Sequence, residues 1–200
     1  MEVQVLNRKS QIRQTACLLF REKGYAGTSM RDLAKHIGIE PASLYSHIKS
    51  KENILQDICF GMAKDFFSAF NDVLIENDTP EIKLKKAIEG HIKVILNNAD
   101  ASAVFFYDWR YLSAENLTKF KAMRRKYEKG FENILEEGVD LGSFKEINIR
   151  FTIQSLFSCI NWLYDWKKVA MFADAEEMST NFTNIFFNGI LNENNFLTKN

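Results

Sequence analysis

Residues 28–51 read TSMRDLAKHIGIEPASLYSHIKSK, and this stretch constrains the fold more than any other in the chain. Met30, Leu33, Ala34 and Ile37 recur at i, i+3, i+4 and i+7, which gives a short helix one apolar face. Ser29, with Asp32 three residues later, is a capping-box-like opening for that helix. Gly38 tolerates the positive φ that ends it. Pro41 suits the first turn of the next helix, where a missing N–H is no loss. There Leu44 and Ile48 turn inward at i, i+4, leaving Ala42, Ser43, Tyr45, Ser46 and His47 outside. This outer face is small at its start, hydrogen-bonding further on, and almost uncharged. The pattern is a helix-turn-helix, whose second helix fits the major groove and can approach base edges and phosphates closely. The competing interpretation is an ordinary pair of packed surface helices.

Helical periodicity continues through nearly all of the 200 residues, which include only two prolines and nine glycines. A first helix over about 8–23 presents Ile12, Ala16, Leu19 and Phe20 on one face. A long helix over 51–75 carries Leu55, Ile58, Met62, Phe66 and Phe70 down one side and connects an N-terminal head to the remaining body. Further helices are predicted over about 79–98, 101–112, 113–142, 148–168 and 175–193. Nine helices and no strand make the chain all-α, with a head over 1–51 and a body over 52–200. The helix over 148–168 is apolar on two sides. Ile149, Ile153, Leu156, Ile160 and Leu163 form one stripe; Phe151, Ser155, Ser158, Cys159, Trp162 and Trp166 form the other. Such a helix must be covered twice. One cover is the subunit's own core; the other is either the rest of a larger monomeric core or the same pair of helices from a second subunit in a four-helix seam, to which the last helix would bring Met178, Phe182, Ile185, Phe186, Gly189 and Ile190.

A net charge of zero argues at first sight against nucleic acid, but its distribution does not. Residues 1–51 hold nine Lys/Arg against four Asp/Glu, a net of +5, so the rest carries −5. A basic head on an acidic body suits a DNA-binding module joined to a regulatory one. Cys17, Cys59 and Cys159 are widely spaced and odd in number, which excludes a zinc ribbon and points to a reducing cytoplasm. Neither a signal peptide nor an apolar run of membrane-spanning length is expected, and neither is a metal or a cofactor.

The segment GYAGTSMRDLAKHIGIEPASLYSHIKSKENIL resembles the DNA-binding domain of the tetracycline-repressor (TetR) family. The matching features are Gly24-Tyr25, Thr28, Leu33-Ala34, Gly38, Leu44-Tyr45, His47, and Lys51-Glu52 ahead of Ile54-Leu55. The resemblance implies an all-helical homodimeric repressor that binds a double-stranded, palindromic DNA operator and responds to a small molecule. Residue by residue, it places DNA contacts at Thr28, Ser29, Met30 and Arg31, at Pro41, Ala42, Ser43, Tyr45, Ser46 and His47, and at Lys51. Glu40 departs from the small residue common there and repels phosphate unless it caps the helix.

In the body, phenylalanine is frequent, at 17, and Val104 to Tyr111 is the densest aromatic cluster. Arg124 lies in a seam with Leu117, Phe120, Tyr127, Phe131 and Ile134, so an inward guanidinium would need an anion there. Asp108, Glu115 or a ligand's carboxylate, thioester or phosphate group could serve. His91 falls within the stripe Leu84, Ala87, Ile88, Ile92, Ile95 as a hydrogen-bonded core histidine rather than a metal ligand. DWRYL, RRKYEKGFENILEEGVDLGSF and Asn161-Trp162-Leu163-Tyr164 are similar to TetR-family regulators that respond to fatty-acyl or aryl coenzyme A thioesters. That likeness implies an aromatic tunnel from Phe66, Phe70, Phe105, Phe106 and Trp109, with Arg110, Arg124 and Arg125 for the nucleotide phosphates. His91, Tyr127 and Asn161 complete the candidate ligand site. An alternative is a helical thioester hydrolase using Cys159 or Ser155, although no histidine follows residue 91 and no nucleophile elbow is present.

Overall fold

The computed structural model describes residues 8–75, 77–168 and 175–190, and these form nine α-helices, two 3-10 segments and no strand. The helices are α1 (Arg8–Gly27), α2 (Met30–Ile37), α3 (Pro41–His47), α4 (Lys51–Ile75), α5 (Pro80–Asn97), α6 (Ala99–Tyr107), α7 (Ala114–Asp140), α8 (Ile149–Ile160) and α9 (Ala175–Ile190). Among the described residues no helix is long and apolar enough to cross a membrane.

The described residues fall into two compact units, one within residues 1–64 and 98–122, the other within 65–97 and 123–200. In the first, α1 buries Ile12, Ala16, Leu19 and Phe20, as its spacing predicts. Helical geometry stops at Gly24, whose φ of 76° and ψ of 156° turn the chain into a corner before α2. Ser29 caps α2 reciprocally with Asp32: the Asp32 N–H donates to Ser29 Oγ at 3.1 Å, and the Ser29 N–H donates to Asp32 Oδ2 at 2.9 Å. Gly38 ends the helix in the left-handed region at φ 76°, where a side chain would be strained. α1 also packs against α6, with Arg21 paired to Asp100.

The helix predicted over 101–112 runs instead from Ala99 to Tyr107 and tightens into a 3-10 turn over Asp108–Tyr111. There the Leu112 N–H donates to Trp109 O at 3.1 Å. Asp108, the first residue of this turn, is buried and accepts a hydrogen bond from the Tyr25 N–H.

In the second unit, α5 buries Leu84, Ala87, Ile88, His91, Ile92 and Ile95, packing against α9 and a 3-10 segment, Asn161–Lys168. Each of these leucine and isoleucine side chains contributes about 1.5–3 kcal/mol on burial. The 3-10 segment replaces the predicted continuation of α8 to 168. α8 shows both expected faces. Ile153, Leu156, Ile160 and Leu163 are buried, whereas Phe151 is 72% exposed, Trp162 40% exposed, and Ser158 and Cys159 are exposed. The Trp166 side chain lies outside the described residues. On α9 the predicted single stripe divides: Met178 and Ile190 are buried, while Ile185 is 74% exposed and Gly189 is also exposed. The predicted end of this helix at 193 lies outside the described residues.

Candidate functional site

α3 presents the surface its sequence implies. Leu44 and Ile48 are buried, which fixes the rotation of the helix, and Ala42, Ser43, Tyr45, Ser46 and His47 are all exposed, with Pro41 half-buried. Ser46 Oγ donates to Ser43 O at 2.7 Å, so its lone pairs face outward as acceptors. Ser29 and Arg31 are exposed and Met30 half-buried at the start of α2. Glu40 occupies the N-cap position of α3 but makes no capping hydrogen bond with its side chain, leaving an exposed carboxylate there.

Two residues expected at DNA, Thr28 and Lys51, make internal hydrogen bonds in the corner between α1, α2 and α4. Thr28 is 1% exposed, and its hydroxyl shares its proton between Leu19 O at 3.2 Å and Gly24 O at 3.0 Å. A hydroxyl so placed closes the end of α1 and cannot reach a phosphate. Lys51 is half-buried; its Nζ donates to Tyr25 O and Thr28 O, each at 2.7 Å, and stands 4.2 Å from the centroid of the Tyr25 ring. Burial lowers the Lys51 pKa, and the nearby Asp108 carboxylate opposes that shift. Asp108 in turn is raised by burial, against the Tyr25 N–H, Arg110 and Lys51. The corner is completed by Tyr111, stacked on Tyr25 at 5.2 Å, and by Glu52. Glu52 accepts from the Ser113 N–H at 3.2 Å and Asn116 Nδ2 at 3.0 Å. Tyr25, Glu52 and Asp108 were not legible as a group, because 25, 52 and 108 meet only in the tertiary structure.

The candidate ligand residues fall into two groups, one in each unit. In the first unit Phe105 packs against Phe106 at 5.1 Å and Phe120 at 5.2 Å, and Trp109 stacks on Phe120 at 5.9 Å. Arg110 is exposed, its guanidinium 5.7 Å from the centre of the Trp109 ring.

In the second unit His91 is the hub. Its Nδ1 lies 3.0 Å from Tyr127 Oη and its Nε2 lies 2.9 Å from Asn161 Oδ1. Because the amide oxygen can only accept, Nε2 carries the proton and Nδ1 accepts from the Tyr127 hydroxyl. Phe66 stacks on the imidazole at 4.5 Å, with Phe157 at 5.3 Å. Phe70 contacts Tyr127 at 5.6 Å and Phe131 at 4.9 Å. Burial pushes the His91 pKa down to about 4, partly opposed by Asn161, so the ring is neutral at physiological pH. Burial likewise raises the Tyr127 hydroxyl. Among the described residues no group of three His, Cys, Asp or Glu could hold a metal.

Arg124 departs from its predicted place. Its side chain is 38% exposed and pairs with Glu128 Oε1 at 3.7 Å. The suggested partners are engaged otherwise, Glu115 by Lys119 and Asp108 by the Tyr25 N–H. The Arg124–Glu128 pair is an i,i+4 spacing on one helix and was visible in the sequence. Arg125 reaches Glu132 at 3.3 Å.

Family models match in two places: "Bacterial regulatory proteins, tetR family" over residues 12–58, and "Tetracyclin repressor-like, C-terminal domain" over 77–190. The HTH-type transcriptional repressor KstR2 of Rhodococcus jostii (strain RHA1) is 26% identical over 161 residues, covering 78% of this chain and 79% of that protein. The solved structure of ketosteroid transcriptional regulator KstR2 of Mycobacterium tuberculosis has a TM-score of 0.89 at 20% identity, covering 95% of this chain and 98% of that one. AibR, solved in complex with isovaleryl coenzyme A and operator DNA, has a TM-score of 0.79 at 21% identity over 90% of this chain and 97% of its own. At these identities the two structures establish the fold. The relatives are transcriptional repressors rather than enzymes, which sets aside the hydrolase alternative. The chain belongs to the TetR family, as a helix-turn-helix transcriptional regulator.

Proposed function

We propose that this regulator is a cytoplasmic repressor that binds a palindromic operator as a homodimer and leaves it when a small hydrophobic effector, of the acyl coenzyme A thioester class, occupies the body. The observation that carries the reading is the outward face of α3: Ser43, Tyr45, Ser46 and His47 exposed over a buried Leu44 and Ile48. With Thr28 and Lys51 engaged internally, the proposed DNA surface is Ser29, Met30, Arg31, Pro41, Ala42, Ser43, Tyr45, Ser46 and His47. KstR2 is named a repressor, and AibR was solved with both a coenzyme A thioester and operator DNA, which supports extending those roles to this chain.

The dimer reading rests on the exposed apolar side chains of α8, of the 3-10 segment that follows it and of α9, namely Phe151, Trp162 and Ile185. A palindrome requires two recognition helices roughly 34 Å apart, which one subunit cannot supply. The thioester reading rests on the two aromatic groups and on the neutrality of His91. A cluster whose polar groups are an uncharged imidazole, a phenol and an amide suits a neutral acyl thioester better than a free carboxylate. Release then follows from population shift. The effector favours the dimer state whose heads do not match operator spacing, by the difference in its affinity for the two states.

Genomic fragments retained by the purified protein test both parts. A shared inverted repeat among them is expected, and long-chain acyl-CoA should release it where the free acid does so poorly. Retention of no fragment would remove the repressor reading; release by no thioester would remove only the effector class.

A further inference from the structure

We propose that Lys51 and Asp108 are positioning residues that close the helix-turn-helix on itself at one point and thereby set the angle of α3. This rests on the reading that α3 docks in DNA. The break at Gly24 interrupts the regular helical pairing at this corner, where the Tyr25 carbonyl accepts from the Thr28 N–H at 3.3 Å and keeps a second lone pair to offer. Lys51 Nζ donates to the carbonyls of Tyr25 and Thr28, each at 2.7 Å, and the Asp108 carboxylate takes the Tyr25 N–H. A cation on carbonyls at a helix end and an anion on the amide are the pairings that helix electrostatics favour.

The positions of these residues along the chain give the closure its effect. Thr28 stands immediately before the Ser29 cap of α2, and Lys51 is the first residue of α4. They bracket the helix-turn-helix, so one ammonium ties its entrance to its exit. The next residue, Glu52, is fastened by Ser113 and Asn116, so the first turn of α4 is held from a second side. Tyr25, stacked on Tyr111 and beneath the Lys51 ammonium, fills the space between. An ammonium has three hydrogens. With two on carbonyls and an aromatic face beside it, Lys51 has little left to offer a phosphate.

The alternative, a phosphate contact at Lys51, predicts a different salt dependence. The full-length protein is titrated against a genomic fragment it retains, at several salt concentrations, with circular dichroism checking each variant's fold. Under the positioning role Lys51→Met weakens binding about tenfold at every salt, with the slope of log K against log salt unchanged. A slope reduced by about 0.9 overturns the proposal, because that is the signature of one lost phosphate contact. Asp108→Ala should also weaken binding about tenfold, although removing an acidic group by charge alone would tighten it. Asp108→Asn, whose amide oxygen still accepts from the Tyr25 N–H, should restore it. Unchanged or tighter binding by Asp108→Ala overturns the proposal too. Tyr45→Ala separates the two levels: if it leaves binding intact, the docking of α3 has failed rather than the closure.

Discussion

Lys51 and His91 both sit against aromatic rings, yet one is met by carbonyl oxygens and a nearby carboxylate, the other by a hydroxyl and an amide. The corner around Lys51 forms where α1 ends, so backbone carbonyls with a lone pair to offer are available and a cation can be satisfied by them. His91 lies in the interior of α5, where backbone groups are already paired along the helix. Only side chains can reach it, and those present are neutral. A charged tie is therefore economical at a helix end, whereas a buried helix middle favours a neutral imidazole. The first arrangement supports a surface; the second holds three elements of a core together.

The comparison can be broken most severely at its neutral side. His91→Ala should lower the free energy of unfolding by about 3–5 kcal/mol in urea titration, because it opens a void and strands both Tyr127 Oη and Asn161 Oδ1. An effect within 1 kcal/mol, to set an approximate bound, would mean that the knot has little structural weight.

Acid should act next. The folded pKa of about 4 lies below the ordinary 6.5, so the unfolded chain binds the proton more readily. Stability from this site is complete above about pH 6.5 and is lost as pH falls toward 4, a total of about 3 kcal/mol. Subtracting the urea profile of His91→Gln from that of the wild type should isolate the loss, and parallel profiles would contradict a neutral buried ring. Tyr127→Phe removes only the donor to Nδ1 and should cost about 1–2 kcal/mol. On the head side, Ser29→Ala removes the α2 capping box at about 1 kcal/mol, measured by thermal melting. The smallest effect is expected from Glu40→Gln: loss of an exposed carboxylate at the start of α3 should tighten binding to non-specific DNA a few-fold at low salt.

Much of the head was legible because its signals are local. The capping box at Ser29, the left-handed Gly38, Pro41 at the start of α3 and the inward Leu44 and Ile48 all depend on spacings of a few residues, and all occur. So did the two faces of α8. What the sequence hid were polar groups whose partners lie far along the chain. Thr28 and Lys51 look like surface residues in a one-dimensional reading, because nothing local reveals that carbonyls at 19, 24, 25 and 28 wait for them. Arg124 is the opposite case, since its partner lay four residues ahead in a pattern that helical geometry makes readable.

The order of amino acids alone determined the all-helical class and the orientation of the reading helix, since periodicity and capping act over single turns and need no distant contact. Only the tertiary structure decided which polar side chains belong to the surface and which hold it in place. It also decided where helices tighten into 3-10 turns, as at Asp108. The physical reason is that a buried donor or acceptor must be paired, and its partner is chosen by whichever backbone or side chain the fold brings within about 3 Å.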